Sequence, residues 1–113
     1  IDERIFPRYR REMDFIRRYV FPGGMLPTPT HLRTLGANAG LALTQDVAFG
    51  ADYAQTCRIW RNHFEAAWQR VAALGFDARF RLLWRYYLAY CEAGFRAGTI
   101  DVRHVAWRRE DGA

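Results

Sequence analysis

A length of 113 residues and a composition that is 50% hydrophobic, 16% aromatic and 26% charged indicate one folded globular domain and exclude a disordered segment. No apolar run approaches the roughly 18–20 residues that a membrane-spanning helix needs, so none is predicted. The net charge of +5, from 17 basic residues (all arginine) and 12 acidic ones, favours an acidic partner, either nucleic acid or an anionic membrane surface.

The first twenty residues have apolar side chains at helix-like intervals, and arginines fill most of the positions between them. The pattern predicts an amphipathic helix after Pro7 with a basic outer face. Residues 21–30, FPGGMLPTPT, contain three prolines and two glycines. These residues end the helix and predict a shaped loop, and a long ordered loop of this kind is often functional.

A short helix and a strand are predicted next. Thr28 and Pro29 have the residue types favoured at the N-cap and at the first helical position. The helix is predicted to run to about Asn38, with Gly40 just beyond its end. Residues 41–47 alternate between apolar and smaller or polar side chains, which predicts a strand.

Two long helices follow. Asp52 is predicted to cap a helix over residues 53–74, because the apolar positions there step by three and four residues. Gly75 is predicted to end that helix and Asp77 to cap the next one, over residues 78–97.

Gly98 ends the last helix, and residues 99–107 alternate with period two, which predicts a second strand. Because a two-stranded ribbon is marginal by itself, we expect both strands to lie at the edge of a larger sheet whose other members precede Ile1. The chain also begins without Met or a signal-peptide pattern. We therefore interpret it as a piece of a longer protein.

Common catalytic and cofactor motifs are absent from the sequence: it contains no HExxH, GxSxG, GxGxxG or P-loop glycine run. His31, His63 and His104 are scattered, so no metal site is predicted. Cys57 and Cys91 lack CxxC spacing and are predicted to pack as small apolar residues in a reduced, cytoplasmic chain.

Two groups of residues have side chains suited to binding or catalysis. Tyr53 follows a glycine turn at a predicted helix start, where free backbone N–H groups can hold a small anion that also bonds to the tyrosine hydroxyl. The alternative is a tyrosine that only anchors the turn. Tyr87 and Cys91 share a helix face with Trp84 and Phe80. That face is either core or the wall of a pocket for a hydrocarbon chain, where electron-rich rings stabilise a developing cation.

Three sequence strings are more informative about function than the hydrophobic periodicity is. They are FIRRYVFPGGMLP (15–27), FGADYAQT (49–56) and WRYYLAYCEAGFRA (84–97). In this order they resemble the C-terminal part of the cyclopropane-fatty-acyl-phospholipid synthases, relatives of the mycolic acid cyclopropane synthases. The resemblance implies an α/β fold: the C-terminal fragment of a seven-stranded, Rossmann-like methyltransferase, mostly helical with two edge strands. Residues 1–30 would be an inserted helix and Pro/Gly loop, and residues 31–113 the final helices and edge strands.

The resemblance also implies a reaction, the transfer of a methylene group from S-adenosylmethionine to a cis double bond of an unsaturated phospholipid acyl chain. Tyr53 would contact a bicarbonate ion that accepts a proton. The implied substrate-lining residues are Phe21, Leu26, Tyr87 and Cys91. The S-adenosylmethionine site and the remaining bicarbonate ligands are expected upstream, so this fragment alone is predicted to be inactive.

Partners and alternatives follow from the same features. Arginines of the first helix predict peripheral association of a cytoplasmic protein with an anionic membrane surface. The alternatives are a related methyltransferase with another acceptor (an amine, or an acyl chain that becomes methyl-branched) and a non-catalytic basic helical interaction module. No nucleic-acid partner is predicted, since only the charge favours one. Exposed helix faces and sheet edges predict self-association into homo-oligomers.

Overall fold

The computed structural model describes residues 1–111. Its elements in chain order are α1 (Phe6–Tyr9), a π-helical turn (Ile16–Val20), α2 (Pro29–Asn38), β1 (Leu41–Ala48), α3 (Gly50–Ala66), α4 (Trp68–Ala73), α5 (Ala78–Ala97) and β2 (Arg103–Arg109). α3 packs along α5, while α2 packs on β1. Among these helices, none combines the length and the apolar character needed to cross a bilayer.

The N-terminal arm, residues 1–27, is not the single amphipathic helix that its apolar spacing predicts. α1 has only four residues, and the chain continues as a π-helical turn. Between them, the Asp14 carboxylate accepts the backbone N–H of Arg17 at 3.0 Å, as a helix cap does. The Arg17 guanidinium donates to the Tyr9 carbonyl at 2.6 Å, which removes that acceptor from a continuing helix. The prediction was wrong because apolar spacing does not register these polar contacts.

α2 begins as predicted. The Thr28 side chain accepts the N–H of His31 at 3.2 Å, and the His31 Nδ1 accepts the N–H of Thr28 at 3.1 Å. This reciprocal capping box, with Pro29 at the first helical position, fixes the end of the Pro/Gly loop. Gly40 follows the helix with φ of +77°, a conformation that favours glycine.

The two strands pair with each other in antiparallel register from Leu41↔Arg109 to Ala48↔Arg103. β2 begins later than predicted, because the backbone N–H of Thr99 bonds to the Gly94 carbonyl at 3.1 Å and closes the end of α5. Residues 99–102 are therefore a connection and not part of the strand. The expectation that both strands belong to a larger sheet stays a prediction.

The predicted helix over residues 53–74 is two helices, because the chain turns at Ala67 between α3 and α4. α3 begins at Gly50, so the prediction that Asp52 is its cap was wrong. The Asp101 carboxylate accepts the Gly50 N–H at 2.8 Å, and Asp52 lies inside the first turn. A residue remote in sequence thus sets this helix start.

α5 has the predicted bounds. The Asp77 side chain accepts the N–H of Phe80 at 2.9 Å, and Gly98 ends the helix with φ of +74°. The core of the described chain lies where α5 meets α3, and its buried apolar residues are Ala54, Cys57, Leu88 and Cys91. Ion pairs flank this core, among them Arg61–Glu92 at 2.7 Å and Arg81–Glu65 at 2.8 Å.

Candidate functional site

The ridge of α5 that faces α3 carries Tyr87 and Cys91 one helical turn apart. Cys91 is 9% exposed and Cys57, on α3, is 2% exposed. Both cysteines are free thiols, as predicted from their spacing. Tyr87 is half-buried, so its ring is the part of this ridge that meets the surface.

The environment strengthens the preference of both groups of the ridge for the uncharged form. Burial raises the pKa of Cys91 to about 11, with a further contribution from Cys57. Burial also raises the pKa of Tyr87 to about 12, and the neighbouring Cys91 and Tyr53 act in the same direction. A thiol that stays protonated at neutral pH is a poor nucleophile. The ridge is therefore a surface of neutral groups, which suits a reaction that passes through a cation.

Phe21 brings the Pro/Gly loop onto this ridge. Its ring lies edge-on to the ring of Tyr87, with centroids 6.2 Å apart and planes at 78°. The ring centroid of Trp84 lies 4.9 Å from that of Tyr87. Phe21 is 57% exposed, so much of its surface is open to a ligand.

Tyr53 lies in the first turn of α3, and its ring packs between two aromatic neighbours. The centroid of Trp60 is 5.6 Å away and that of Phe95 is 5.2 Å away, both edge-to-face. Among residues 1–111 the Tyr53 hydroxyl has no protein hydrogen-bond partner, and it is not buried. This hydroxyl is therefore free to donate to a ligand. Trp60 lies two helical turns from Tyr53, a spacing that could have indicated its packing on Tyr53, which the sequence analysis does not predict.

The start of α3 is not a vacant anion site, contrary to the reasoning from sequence. The Asp101 carboxylate already accepts the N–H of Gly50, and Asp52 adds a second negative charge in the first turn. Two carboxylates disfavour a further anion at these backbone groups. The Tyr53 hydroxyl is thus the group in this region that remains suited to hold one.

Leu26 is separated from the ridge. It lines a cavity of about 500 Å³ between the N-terminal arm and a second face of α5, with Tyr9, Met13, Tyr90 and Ile100 among the other lining residues. Tyr53, Tyr87 and Cys91 do not line this cavity. The structure therefore brings Phe21, Tyr87 and Cys91 together and places Leu26 in a neighbouring, mostly apolar space.

Metal chemistry has no candidate site in the part of the chain that is described. Within residues 1–111, no group of three or more His, Cys, Asp or Glu side chains is arranged to hold an ion. His31 instead caps α2, a role that the sequence reading missed, and the ring of His104 packs on Phe49 at 4.5 Å.

Comparison with known proteins identifies the family. The family model described as mycolic acid cyclopropane synthetase matches residues 2–105. The chain is 42% identical over 102 residues to tuberculostearic acid methyltransferase UfaA1 of Mycobacterium tuberculosis, a match that covers 89% of this chain and 24% of that protein. It is 33% identical over 95 residues to the cyclopropane-fatty-acyl-phospholipid synthase of Escherichia coli, covering 84% of this chain and 24% of that protein.

Solved structures of cyclopropane synthases share the fold of this chain. The crystal structure of mycolic acid cyclopropane synthase CmaA1 complexed with SAH and CTAB matches 92% of this chain and 35% of that chain, with a TM-score of 0.80 and 27% identity. The predicted fold class, a mostly helical portion of the S-adenosylmethionine-dependent methyltransferase fold with two strands, is confirmed. The chain spans about a quarter of the length of the two curated relatives. It belongs to the mycolic acid cyclopropane synthetase family, as the resemblance predicted.

Proposed function

We propose that this chain is the substrate-facing portion of a cyclopropane-fatty-acyl-phospholipid synthase that acts on a cis double bond of a phospholipid acyl chain. The observation that carries the proposal is the contact between Phe21 and Tyr87, which joins the Pro/Gly loop to an uncharged ridge in a chain of this family. S-adenosylmethionine, when bound, supplies an electrophilic methyl group. Since the sequence lacks a glycine-rich nucleotide loop, we place its site outside this chain and expect the chain alone to be inactive.

The proposed pocket residues bind the acyl chain and exclude water. Phe21, Tyr87 and Cys91 would contact it on the ridge and Leu26 in the neighbouring cavity. Each methylene removed from water contributes about 0.8 kcal/mol. Aromatic faces stabilise positive charge on the acyl carbon that forms after methyl transfer. The raised pKa of Cys91 keeps its sulfur protonated, so that it does not trap the cation.

The Tyr53 hydroxyl would hold bicarbonate by donating one hydrogen bond. The free, accessible hydroxyl fits this role, whereas the start of α3 does not, since Asp101 accepts the N–H of Gly50 there and Asp52 adds a second negative charge. Bicarbonate there supplies a base for the proton released when the ring closes. The ring of Tyr53 is fixed by Trp60 and Phe95, which holds the hydroxyl in one place.

A second candidate is an acyl methyltransferase whose product is methyl-branched and not cyclic. The observation that favours it is the 42% identity to a relative named as a tuberculostearic acid methyltransferase. Both candidates need the same apolar, uncharged pocket. They differ in what happens to the cation after the methyl group has been added.

Peripheral association with an anionic membrane is part of the proposal. Arg10, Arg11 and Arg18 are exposed on the N-terminal arm and take part in none of the ion pairs formed within residues 1–111. Met13, in the same stretch, is 67% exposed. Unpaired arginines beside an exposed apolar side chain match the chemistry of an anionic lipid surface.

The product formed in cells tests the proposal. The complete open reading frame that encodes this chain is expressed in a bacterium whose own cyclopropane synthase gene is deleted, and fatty acid methyl esters are analysed by mass spectrometry. Cyclopropane acids support the first candidate and methyl-branched acids the second, whereas unchanged unsaturated acids contradict both. For the purified 113-residue chain we expect no heat on titration with S-adenosylmethionine, and micromolar binding would contradict the placement of its site elsewhere.

A further inference from the structure

The backbone of Leu26 is held by the side chain of Tyr9, at the end of α1. Its N–H donates to the hydroxyl oxygen of Tyr9 at 2.9 Å. Leu26 follows the Pro-Gly-Gly turn and lies in neither a helix nor a strand. A single neutral hydrogen bond therefore connects this part of the loop to α1.

Tyr9 is itself fixed on more than one side. The Arg17 guanidinium lies over its ring, 4.0 Å from the centroid, and the Phe6 ring is 6.1 Å away. The side chain of Arg17 is 10% exposed and pairs with Asp14 at 3.1 Å. Because the ring is clamped and Arg17 also donates to the Tyr9 carbonyl, the hydroxyl has little freedom to move. Tyr9 is thus a rigid support for the Pro/Gly loop.

We propose that Tyr9 is a positioning residue for the acyl substrate: its hydroxyl fixes the backbone of Leu26 and thereby the wall of the 500 Å³ cavity that both residues line. The inference rests on the proposed function, in which Leu26 contacts the acyl chain. Tyr9 acts through Leu26 and not on the reacting carbons. Its loss therefore weakens substrate binding and leaves the chemical step intact.

The kinetic test uses Tyr9→Phe in the protein encoded by the complete open reading frame, with vesicles of a cis-unsaturated phospholipid as substrate. Removal of the hydroxyl is expected to raise KM about three- to tenfold, the value of one neutral hydrogen bond, with kcat changed less than about twofold. Tyr19→Phe is the matched control. Tyr19 lies on the same arm, is 54% exposed and makes no side-chain hydrogen bond within the described residues, so its variant should keep the parent KM.

Amide hydrogen exchange in the 113-residue chain supplies a readout independent of activity. Tyr9→Phe should speed exchange of the Leu26 amide about three- to tenfold. The Thr28 amide, which donates to His31, should keep its rate. An unchanged Leu26 rate would overturn the proposal.

Leu26→Ala separates this inference from the function on which it rests. If Leu26→Ala raises KM and Tyr9→Phe does not, Leu26 contacts substrate but Tyr9 does not position it, and the inference fails alone. If neither variant changes KM, Leu26 is not part of the substrate wall. The inference then fails together with that part of the proposed pocket.

Discussion

Phe21 and Tyr87, from opposite ends of the chain, meet edge-to-face with ring centroids 6.2 Å apart. This contact joins the Pro/Gly loop to the helix ridge that carries Cys91.

Truncation of Phe21 should weaken substrate binding without unfolding the protein. Phe21→Ala removes an aromatic pair worth about 0.5–1.5 kcal/mol and one side chain of the proposed substrate pocket. We expect KM for unsaturated phospholipid to rise about tenfold. Because the ring is 57% exposed, the free energy of unfolding should fall by less than about 1 kcal/mol. Leu74→Ala, at a position 77% exposed, is the control and should leave KM unchanged. If Phe21→Ala keeps the KM of the parent, Phe21 does not contact the substrate.

Stability should fall at alkaline pH because of Cys91. Its pKa is raised by burial from 9.0 to about 11, so above pH 9 the unfolded chain loses a proton that the folded chain keeps. The stabilisation is therefore fully present below about pH 9 and is lost as the pH rises toward 11, by about 2 kcal/mol. The chain has no lysine to add its own titration in this range.

Urea unfolding near pH 8 and near pH 11 measures this loss. Cys91→Ala lowers stability at both values because it leaves a cavity, yet its stability should depend less on pH than that of the parent. Tyr87, whose pKa is raised from 10.0 to about 12, adds a loss of its own that begins near pH 10, so part of the pH dependence should remain in Cys91→Ala. Equal pH dependence in Cys91→Ala and the parent would contradict this assignment.

Asp101 should stabilise the start of α3. Its carboxylate accepts the N–H groups of Gly50 at 2.8 Å and Val102 at 2.9 Å. Asp101→Ala leaves both donors without this partner and should cost about 1 kcal/mol, or about 5 °C in Tm. Asp101→Asn retains an acceptor and should lose less. If both variants have the same Tm as the parent, the Asp101 cap does not contribute to stability, which would contradict this prediction.

Three arginines should determine binding to anionic vesicles. Arg10, Arg11 and Arg18 each contribute about 1 kcal/mol near such a surface, so their joint replacement by Gln should weaken binding to phosphatidylglycerol vesicles roughly 100-fold. The control replaces the exposed arginines at positions 58, 70 and 79 by Gln, which changes the net charge equally. Vesicle sedimentation measures the affinity of both triple variants. Equal losses of affinity would show that binding depends only on the net charge and would contradict the role of these three arginines.

Elements whose signals are local were predictable from sequence. The cap at Asp77, the capping residue Thr28 and the stop at Gly98 all lie where the residue types indicate, because each acts within one helical turn. The start of α3 was not predictable, since it depends on Asp101 far along the chain. The bend after Tyr9 depends on the side chain of Arg17, which hydrophobic spacing does not register.

In the candidate site too, local contacts were predictable from sequence and contacts between remote segments were not. The pairing of Tyr87 with Cys91 follows from their spacing of one helical turn. The contact of Phe21 with Tyr87, the packing of Phe95 on Tyr53 and the support of Leu26 by Tyr9 join segments remote in sequence. No local pattern encodes such pairs. The family resemblance named several of these residues but not their neighbours.

We propose that the Tyr53 hydroxyl holds the base that completes ring closure, and the Tyr53→Phe variant tests this role. The variant keeps the ring between Trp60 and Phe95, so stability should stay near that of the parent. Cyclopropane formation by the protein from the complete open reading frame is then measured with and without added bicarbonate, with Tyr86→Phe as control. We predict a loss of about 100-fold, comparable to the removal of one preorganised donor, and no response to bicarbonate. Full activity in Tyr53→Phe with the parent's bicarbonate response would contradict the account.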